Sequence, residues 1–194
     1  MGIGRRILSG IVMIAAIAGC GYNDLQGLDE DTKAAWSEVV NQYQRRADLI
    51  PNLVETVKGY AQQEQTVFGE IARARSALLG AQTPAQKIAA NGQLDGALGR
   101  LLALSENYPQ LKSNENFQRL QDELAGTENR IAVERKRYND TLQDYNTYVQ
   151  HFPNNIYAGF SGFKPNDAYF KASEGSREVP KVNFGNPAAV ATPQ

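Results

Sequence analysis

The feature that most constrains the fold is a spacing in alternating steps of three and four between positions 117 and 152. This spacing places the side chains on one seam of a coiled-coil-like helix. The seam consists of Phe117, Leu120, Leu124, Thr127, Ile131, Glu134, Tyr138, Thr141, Tyr145, Tyr148 and Phe152. Ser113, followed by Asn114 and Glu115, offers capping residues at its start, and Pro153 ends the pattern. We therefore predict a helix over residues 114–152, about 58 Å long at 1.5 Å per residue.

Three seam positions are polar: Thr127, Glu134 and Thr141. Polar residues in a seam of this kind usually set the register between neighbouring helices. We interpret them in that way, and Glu134 is the only central acid that a catalytic function could use.

Residues 84–108 are predicted to form a second helix, with Thr83 as its N-cap and Pro84 at its first position. The helix contains three glycines: Gly92, Gly96 and Gly99. A glycine inside a helix costs about 1 kcal/mol relative to alanine. The glycines either permit the close approach of another helix or leave this helix loose, and the sequence leaves both interpretations open.

Residues 22–79 also show helical spacing, but Pro51 interrupts it. Proline removes one backbone hydrogen bond and disfavours helical geometry at the preceding residue. We therefore predict a kink or short break near residues 47–51. Three or four antiparallel helices joined by short turns make an all-α, up-and-down bundle, which is the fold we expect for residues 20–152.

The helical pattern stops at Pro153, and residues 153–184 are rich in glycine, proline, asparagine and aromatic residues. We predict an irregular extension whose aromatic side chains pack on the bundle, because such a segment cannot bury a core of its own. The side chains concerned are Tyr157, Phe160, Phe163, Tyr169 and Phe170. The alternative is an exposed aromatic patch that receives a partner. Residues 185–194 are small and uncharged, and we predict a disordered tail.

The single cysteine, Cys20, follows Arg5, Arg6 and an apolar run over residues 7–17. This order is that of a secretory signal, and the run is shorter than the roughly 20 residues that cross a bilayer. The small residues directly before the cysteine resemble the lipobox of bacterial lipoproteins. The resemblance implies that residues 1–19 are a signal peptide and that Cys20 carries the lipid.

Composition argues against several other kinds of function. The formal net charge is −1 and no dense basic patch is present, so we expect no nucleic-acid partner. His151 is the only histidine, so zinc sites with several histidines and di-iron sites cannot be built, and we expect no metal and no cofactor. At the end of the long helix, His151 is expected to act as a cap.

One catalytic motif is approached but not completed. Ser161 and Lys164 have the Ser-x-x-Lys spacing of serine acyl-enzymes, in which both residues share a helix. Pro165 follows at once and disfavours a helix at Lys164. We therefore predict no catalytic residues.

Three groups of segments resemble the LemA family. They are residues 45–61 (RRADLIPNLVETVKGYA), residues 22–25 and 35–37 (YNDL and AWS), and residues 152–156, 162–165 and 179–184 (FPNNI, GFKP and VPKVNF). The resemblance covers residues 22–184. It implies a bacterial envelope protein built as an antiparallel helical bundle, usually behind an N-terminal membrane segment, whose biochemical activity is generally undefined.

The chain departs from the family pattern at its start, where a lipobox replaces a longer anchor. A lipidated cysteine requires export, and Cys20 is followed by Gly21 rather than by the aspartate associated with inner-membrane retention. We therefore expect attachment to the outer membrane in a cell with two membranes, and otherwise to the outer face of the cytoplasmic membrane.

The most site-like cluster consists of Arg45, Arg46, Asp48, Pro51 and Asn52. Asp48 is predicted to cap the segment after Pro51, and either arginine is predicted to pair with Asp48 or Glu55. Such pairs would fix the bend, which is the structural interpretation. The functional interpretation is a docking surface for a partner protein or an anionic headgroup.

These observations together predict an exported, lipid-anchored bundle with a structural or protein-interaction role. Its expected partners are the membrane, through Cys20, and an envelope protein. One alternative is an envelope sensor that binds a small molecule in a pocket near the three glycines. An enzyme is the other alternative, and it would need Glu134 in a cleft with further titratable groups.

Overall fold

The computed structural model describes the backbone of residues 2–171 and the side chains of residues 21–171, except that of residue 157. The described residues form six helices and no strand. The helices are α1 (Gly2–Lys58), α2 (Gln65–Gly80), α3 (Pro84–Ser105), α4 (Pro109–Lys112), α5 (Glu115–Gln150) and α6 (Asn154–Ser161). The all-α class predicted from the sequence is confirmed.

The four long helices run up and down, with α1 packed along α5 and α2 packed along α3. Contacts between α1 and α5 define an antiparallel register, because the residue number of the α5 partner falls as the residue number on α1 rises. The pairs are Asp24–Tyr148, Thr32–Thr141, Tyr43–Arg135, Arg46–Glu128 and, just beyond the two helices, Tyr60–Asn114. The two helices therefore stay in one register along the whole of α5.

The core lies along the predicted seam of α5. Phe117, Ile131 and Leu142 are fully buried there, and they meet buried residues of α1 such as Val39 and Leu53. Thr127 is also buried, whereas Glu134 and Thr141 are only partly covered. A stripe of this width is what a helix inside a bundle needs.

The helix starts predicted from the sequence are confirmed. Thr83 caps α3 in a reciprocal pair with Gln86, and Pro84 is its first residue. Asn114 caps α5 by accepting a hydrogen bond from the Phe117 N–H at 3.0 Å. These caps satisfy backbone N–H groups that a helix end leaves without partners.

Of the kink or short break predicted near residues 47–51, the short break is wrong, because α1 continues through Pro51 to Lys58. Proline lacks the N–H that would bind the carbonyl of Ala47. Arg75 of α2 supplies that donor instead, and its Nε lies 2.8 Å from the Ala47 oxygen. The first non-helical segment after α1 is residues 59–64, which form the turn into α2.

The extension differs from the irregular segment predicted for residues 153–184, because it begins with helix α6. Gly162, with φ +81°, ends that helix. Residues 163–171 then run without regular structure. Residues 172–184 and the tail predicted to be disordered, 185–194, lie outside the described residues.

The predicted signal peptide and Cys20 fall where the structure describes no side chains. The backbone of residues 2–20 is helical and continuous with the rest of α1. Over the part of the chain that the structure describes, no helix is both long enough and apolar enough to cross a membrane.

Candidate functional site

Arg46 lies at the centre of the bundle and is only 7% exposed. Its Nη1 is 2.6 Å from Asp95 Oδ1 of α3 and 2.5 Å from Glu128 Oε2 of α5. The predicted pairing of an arginine with Asp48 or Glu55 is wrong for Arg46, because its carboxylate partners come from two other helices. One guanidinium thus links α1, α3 and α5.

Asn91 completes what we call the charged layer, which consists of Arg46, Asn91, Asp95 and Glu128. The Asn91 side chain is fully buried, and its Nδ2 donates to Asp95 Oδ2 at 2.9 Å. Asn91 Oδ1 and Arg46 Nε have no hydrogen-bond partner within the described residues. Unpaired buried polar atoms cost free energy, which offsets part of what the contacts of the layer contribute to stability.

Burial raises the pKa of Asp95 above its usual value, and the nearby Arg46 only partly offsets that shift. Burial likewise raises the pKa of Tyr43, which lies about one turn before Arg46 on α1. Arg135 of α5 donates from Nε to the Tyr43 hydroxyl at 3.3 Å, and its guanidinium lies 5.7 Å from the ring centroid. These groups make the centre of the α1–α5 interface polar.

Arg45 points away from the charged layer into an open groove of about 370 Å³ between α1 and α5. The groove is lined by further charges of α5, namely Arg119, Asp122, Glu123 and Arg130. We call it the Arg45 groove. Three guanidinium groups and two carboxylates give it the chemistry of a surface that binds acidic or mixed-charge groups.

The other motif residues lie on the outer surface of α1. Asp48 is exposed and accepts a hydrogen bond from Gln44 Nε2 at 2.8 Å. Its predicted capping role is wrong, because no helix begins after Pro51. Asn52 is also exposed, and its backbone carbonyl oxygen accepts a hydrogen bond from the Thr56 hydroxyl. The motif is therefore divided between core, groove and outer surface.

The extension is held on α5 by two asparagines. Asn146 donates to the Asn166 carbonyl and accepts from the Asn166 N–H, both at 2.8 Å. Asn139 makes the same pair of bonds with the backbone of Phe170, both at 2.9 Å. A carboxamide thus replaces the partner strand that an extended backbone otherwise requires.

The predicted packing of the extension on the bundle is confirmed for Phe163, Tyr169 and Phe170, which contact the core. The Phe170 ring stacks 5.9 Å from that of Trp36 and meets Tyr138 edge-on at 5.6 Å. The prediction is wrong for Phe160, which is 90% exposed. The side chain of Tyr157 lies outside the described residues.

The glycines of α3 do not serve a close helix contact. All three are exposed, and a Cβ on Gly92 or Gly99 would meet nothing within 4 Å.

Glu134 lies 3.8 Å from Arg137 of its own helix. His151 follows α5 as its C-cap, as predicted, and its Nδ1 is 2.7 Å from the Thr147 oxygen.

Ser161 and Lys164 do not share a helical turn, because Ser161 is the last residue of α6 and Gly162 is left-handed. Among the residues with described side chains, no group of three histidine, cysteine, aspartate or glutamate residues converges as a metal site would require.

Sequence reasoning identified Arg46 but missed Asn91, Asp95, Glu128 and Arg75. The i, i+4 spacing of Asn91 and Asp95 in an otherwise apolar stripe was the available signal for α3. No signal in the sequence marked Arg75, since its acceptor is a backbone oxygen of another helix.

These features define an antiparallel helical bundle aligned by a charged layer and covered at one end by its own C-terminal extension. The chain belongs to the LemA family, whose model matches residues 35–184, and the resemblance drawn from the sequence is confirmed.

The chain is similar to magnetosome proteins MamQ 1 and MamQ 2 of Paramagnetospirillum magneticum, at 29% identity to each, over 81% of this chain and 67% of each relative. It is also similar to magnetosome protein MamQ of Magnetospirillum gryphiswaldense, at 26% identity over 81% of this chain and 68% of the relative. The family and these relatives suggest a membrane-associated protein.

Proposed function

We propose that this protein is an exported lipoprotein whose helical bundle stands on a membrane and presents side chains to an envelope protein. The observation that carries the proposal is the position of Cys20, which ends a signal-like segment directly before the LemA-like part of the chain begins at Tyr22. Gly21 and Asp24 of α1 contact Tyr148 near the end of α5. A lipid on Cys20 would therefore hold this end of the bundle at the membrane. Several acyl chains make such an anchor stable, because each buried methylene contributes roughly 0.8 kcal/mol.

The charged layer supports a structural rather than catalytic use of the family motif. The guanidinium of Arg46 forms ion pairs with Asp95 and Glu128 within the bundle, and in this way it aligns three helices. A bundle of fixed register presents its surface residues in a constant geometry. Confinement at a membrane then raises the effective concentration of a co-anchored partner, and weak contacts suffice.

The Arg45 groove is the docking surface that we propose for the envelope partner. It is open, and it contains the exposed motif residue Arg45 together with charged side chains of α5. An acidic or mixed-charge segment of a partner fits this lining. The sensor alternative loses support because the glycines of α3 face outward and away from the core.

We place the anchor in the outer membrane of a cell with two membranes, and otherwise on the outer face of the cytoplasmic membrane. The support for this location is the lipobox together with Gly21 at the position after Cys20.

Lipidation is tested by expressing the full chain with an alkyne fatty acid and measuring the intact mass of the mature protein. The expected result is loss of residues 1–19 and diacylglyceryl-type mass added at Cys20, with no label in Cys20→Ser. An unprocessed N-terminus, or a mature Cys20 without lipid, would overturn the anchor.

Docking is tested by crosslinking in cells with Arg45→Ala, and with Arg137→Ala as a control because Arg137 is also exposed on the bundle surface. Arg46 is left intact, since its loss would disturb the bundle. A partner that is lost with Arg45→Ala and kept with Arg137→Ala supports the groove. An unchanged partner set in both variants removes the groove from the proposal.

A further inference from the structure

Large apolar side chains are exposed in unusual concentration where α5 ends and α6 begins. Phe152 is 79% exposed, Ile156 47% and Phe160 90%. Ile156 and Phe160 are four residues apart on α6, a spacing that places them on one face of the helix. We call these three residues the apolar end face.

The apolar end face is not explained by the packing of the extension. Phe163, two residues beyond α6, turns inward, and its ring centre lies 6.3 Å from that of Tyr22. Ala158 of α6 is buried. Helix α6 therefore seats one side on the bundle and turns Ile156 and Phe160 to the outside, although exposed apolar area of this kind usually marks an interaction site.

The register of α1 and α5 shows where this face lies. Tyr148 pairs with Asp24, and its hydroxyl is also 3.2 Å from the Gly21 carbonyl oxygen. Phe152 follows the end of α5 by two residues, so it lies at the end of the bundle where Tyr148 contacts Gly21. The apolar end face thus lies beside the point where the predicted anchor leaves the bundle.

We infer that Phe152, Ile156 and Phe160 insert into the lipid surface as a second membrane contact beside Cys20. This inference rests on the proposed lipid anchor for its orientation, because a lipid at position 20 would bring these three side chains to the bilayer. Phenylalanine and isoleucine on one side of a short helix are suited to the acyl–headgroup boundary. A flexible lipid anchor alone leaves a bundle free to tilt, and a second contact restricts that tilt.

The test uses the full mature protein reconstituted in phosphatidylcholine vesicles that contain a lipid brominated near the top of its acyl chains. Phe160→Trp reports on the apolar end face. Val133→Trp is the matched control, because Val133 is 64% exposed on α5 but lies about 26 Å before the end of that helix, at 1.5 Å per residue. The parent protein, whose only tryptophan is Trp36, provides the background emission.

The expected result is a blue-shifted emission from Phe160→Trp and at least twofold quenching by the brominated lipid, with no quenching of Val133→Trp. Equal and low quenching of both variants in protein that floats with the vesicles would overturn the inference, and would favour a protein partner for this face.

Intact mass and vesicle flotation separate failure of the anchor from failure of the inference. Protein without lipid on Cys20 that still floats and shows quenching at position 160 would refute the anchor and support the membrane contact. Protein without lipid on Cys20 that also fails to float would refute both.

Discussion

Arg75 Nε lies 2.8 Å from the carbonyl oxygen of Ala47, the acceptor that Pro51 leaves without its helical donor. Ala47 is fully buried, so water cannot easily replace the lost bond. A side chain from α2 thereby repairs a defect in α1 and allows α1 to pass through a proline without interruption. This bond also fixes the position of α2 against α1.

Arg75→Ala is expected to reduce the free energy of unfolding by about 1–3 kcal/mol, because it leaves a buried carbonyl without a donor. In a Pro51→Ala background the same substitution should cost less, since alanine restores the backbone N–H. Urea denaturation of the four proteins of this double-mutant cycle measures the difference. Equal costs in both backgrounds would show that Arg75 acts by packing alone.

Arg46→Met is expected to destabilise the protein by about 1–3 kcal/mol, because Asp95 and Glu128 then lose their common partner. This range is smaller than for a fully buried pair, since both carboxylates remain partly hydrated. Arg45→Met is the control, and we expect a change within about 0.5 kcal/mol at that exposed position. Thermal unfolding of both variants checks the prediction, and a larger loss for Arg45→Met would contradict the assignment of the two arginines.

Asp95→Asn tests the raised pKa of Asp95. A raised pKa means that the folded state holds this proton more tightly than the unfolded state, whose value is near the usual 3.8. The contribution of Asp95 to stability is therefore greatest below that value and is lost as pH rises through the folded pKa. The stability of the parent relative to Asp95→Asn should fall between pH 4 and neutrality, as measured by urea denaturation. A relative stability that rises with pH would mean that Arg46 outweighs burial.

Gly92→Ala and Gly99→Ala are each expected to raise stability by about 0.5–1 kcal/mol. Both glycines are in α3, and an added Cβ meets nothing within 4 Å, so alanine gains its better helix propensity without a clash. Gly162→Ala is the contrasting control, because φ is +81° there and alanine would be strained. Melting temperatures should move in opposite directions. A loss of stability at position 92 or 99 would show that the added Cβ is not accommodated on this face of α3.

Asn146→Ala is expected to release the extension without unfolding the bundle. It removes two backbone hydrogen bonds to Asn166 and a third bond to the Tyr169 hydroxyl. Limited chymotrypsin cleavage after Tyr169 or Phe170 should become about tenfold faster, because opening of the segment costs less. Asn155→Ala, at an exposed position of α6, should leave cleavage unchanged. Unchanged cleavage in Asn146→Ala would show that the aromatic contacts alone hold the segment.

Much of the helical architecture was predictable because its signals are local. The α5 seam, the Thr83 cap and the Asn114 cap all depend on residues three or four positions apart, which are neighbours in any helix. The break at Pro51 was predicted wrongly for the same reason. Proline is a local signal against a helix, and its compensation comes from Arg75, which is 28 residues beyond the Ala47 acceptor.

The candidate site was only partly predictable. The cluster from Arg45 to Asn52 was recognised, but its two adjacent arginines lie in different places. Arg45 lines the groove, whereas Arg46 is buried in the core. On a helix, neighbouring residues point about 100° apart, so adjacency could not tell which arginine faces inward. Likewise, the aromatic residues of the extension were recognised, but which of them pack depends on where α6 ends.

The long α5 helix and the caps of α3 and α5 were predictable from the amino-acid sequence, because helix formation follows from periodicity and from groups within one turn, and the family was recognisable from contiguous motifs. The pairing of Arg46 with Glu128 across 82 residues and the bond from Arg75 to Ala47 became apparent only in the folded chain. Only the structure showed that Phe160 stays outside while Phe170 packs against Trp36. These contacts depend on the register and rotation of whole helices, which are set by burying all the stripes at once rather than by any one segment.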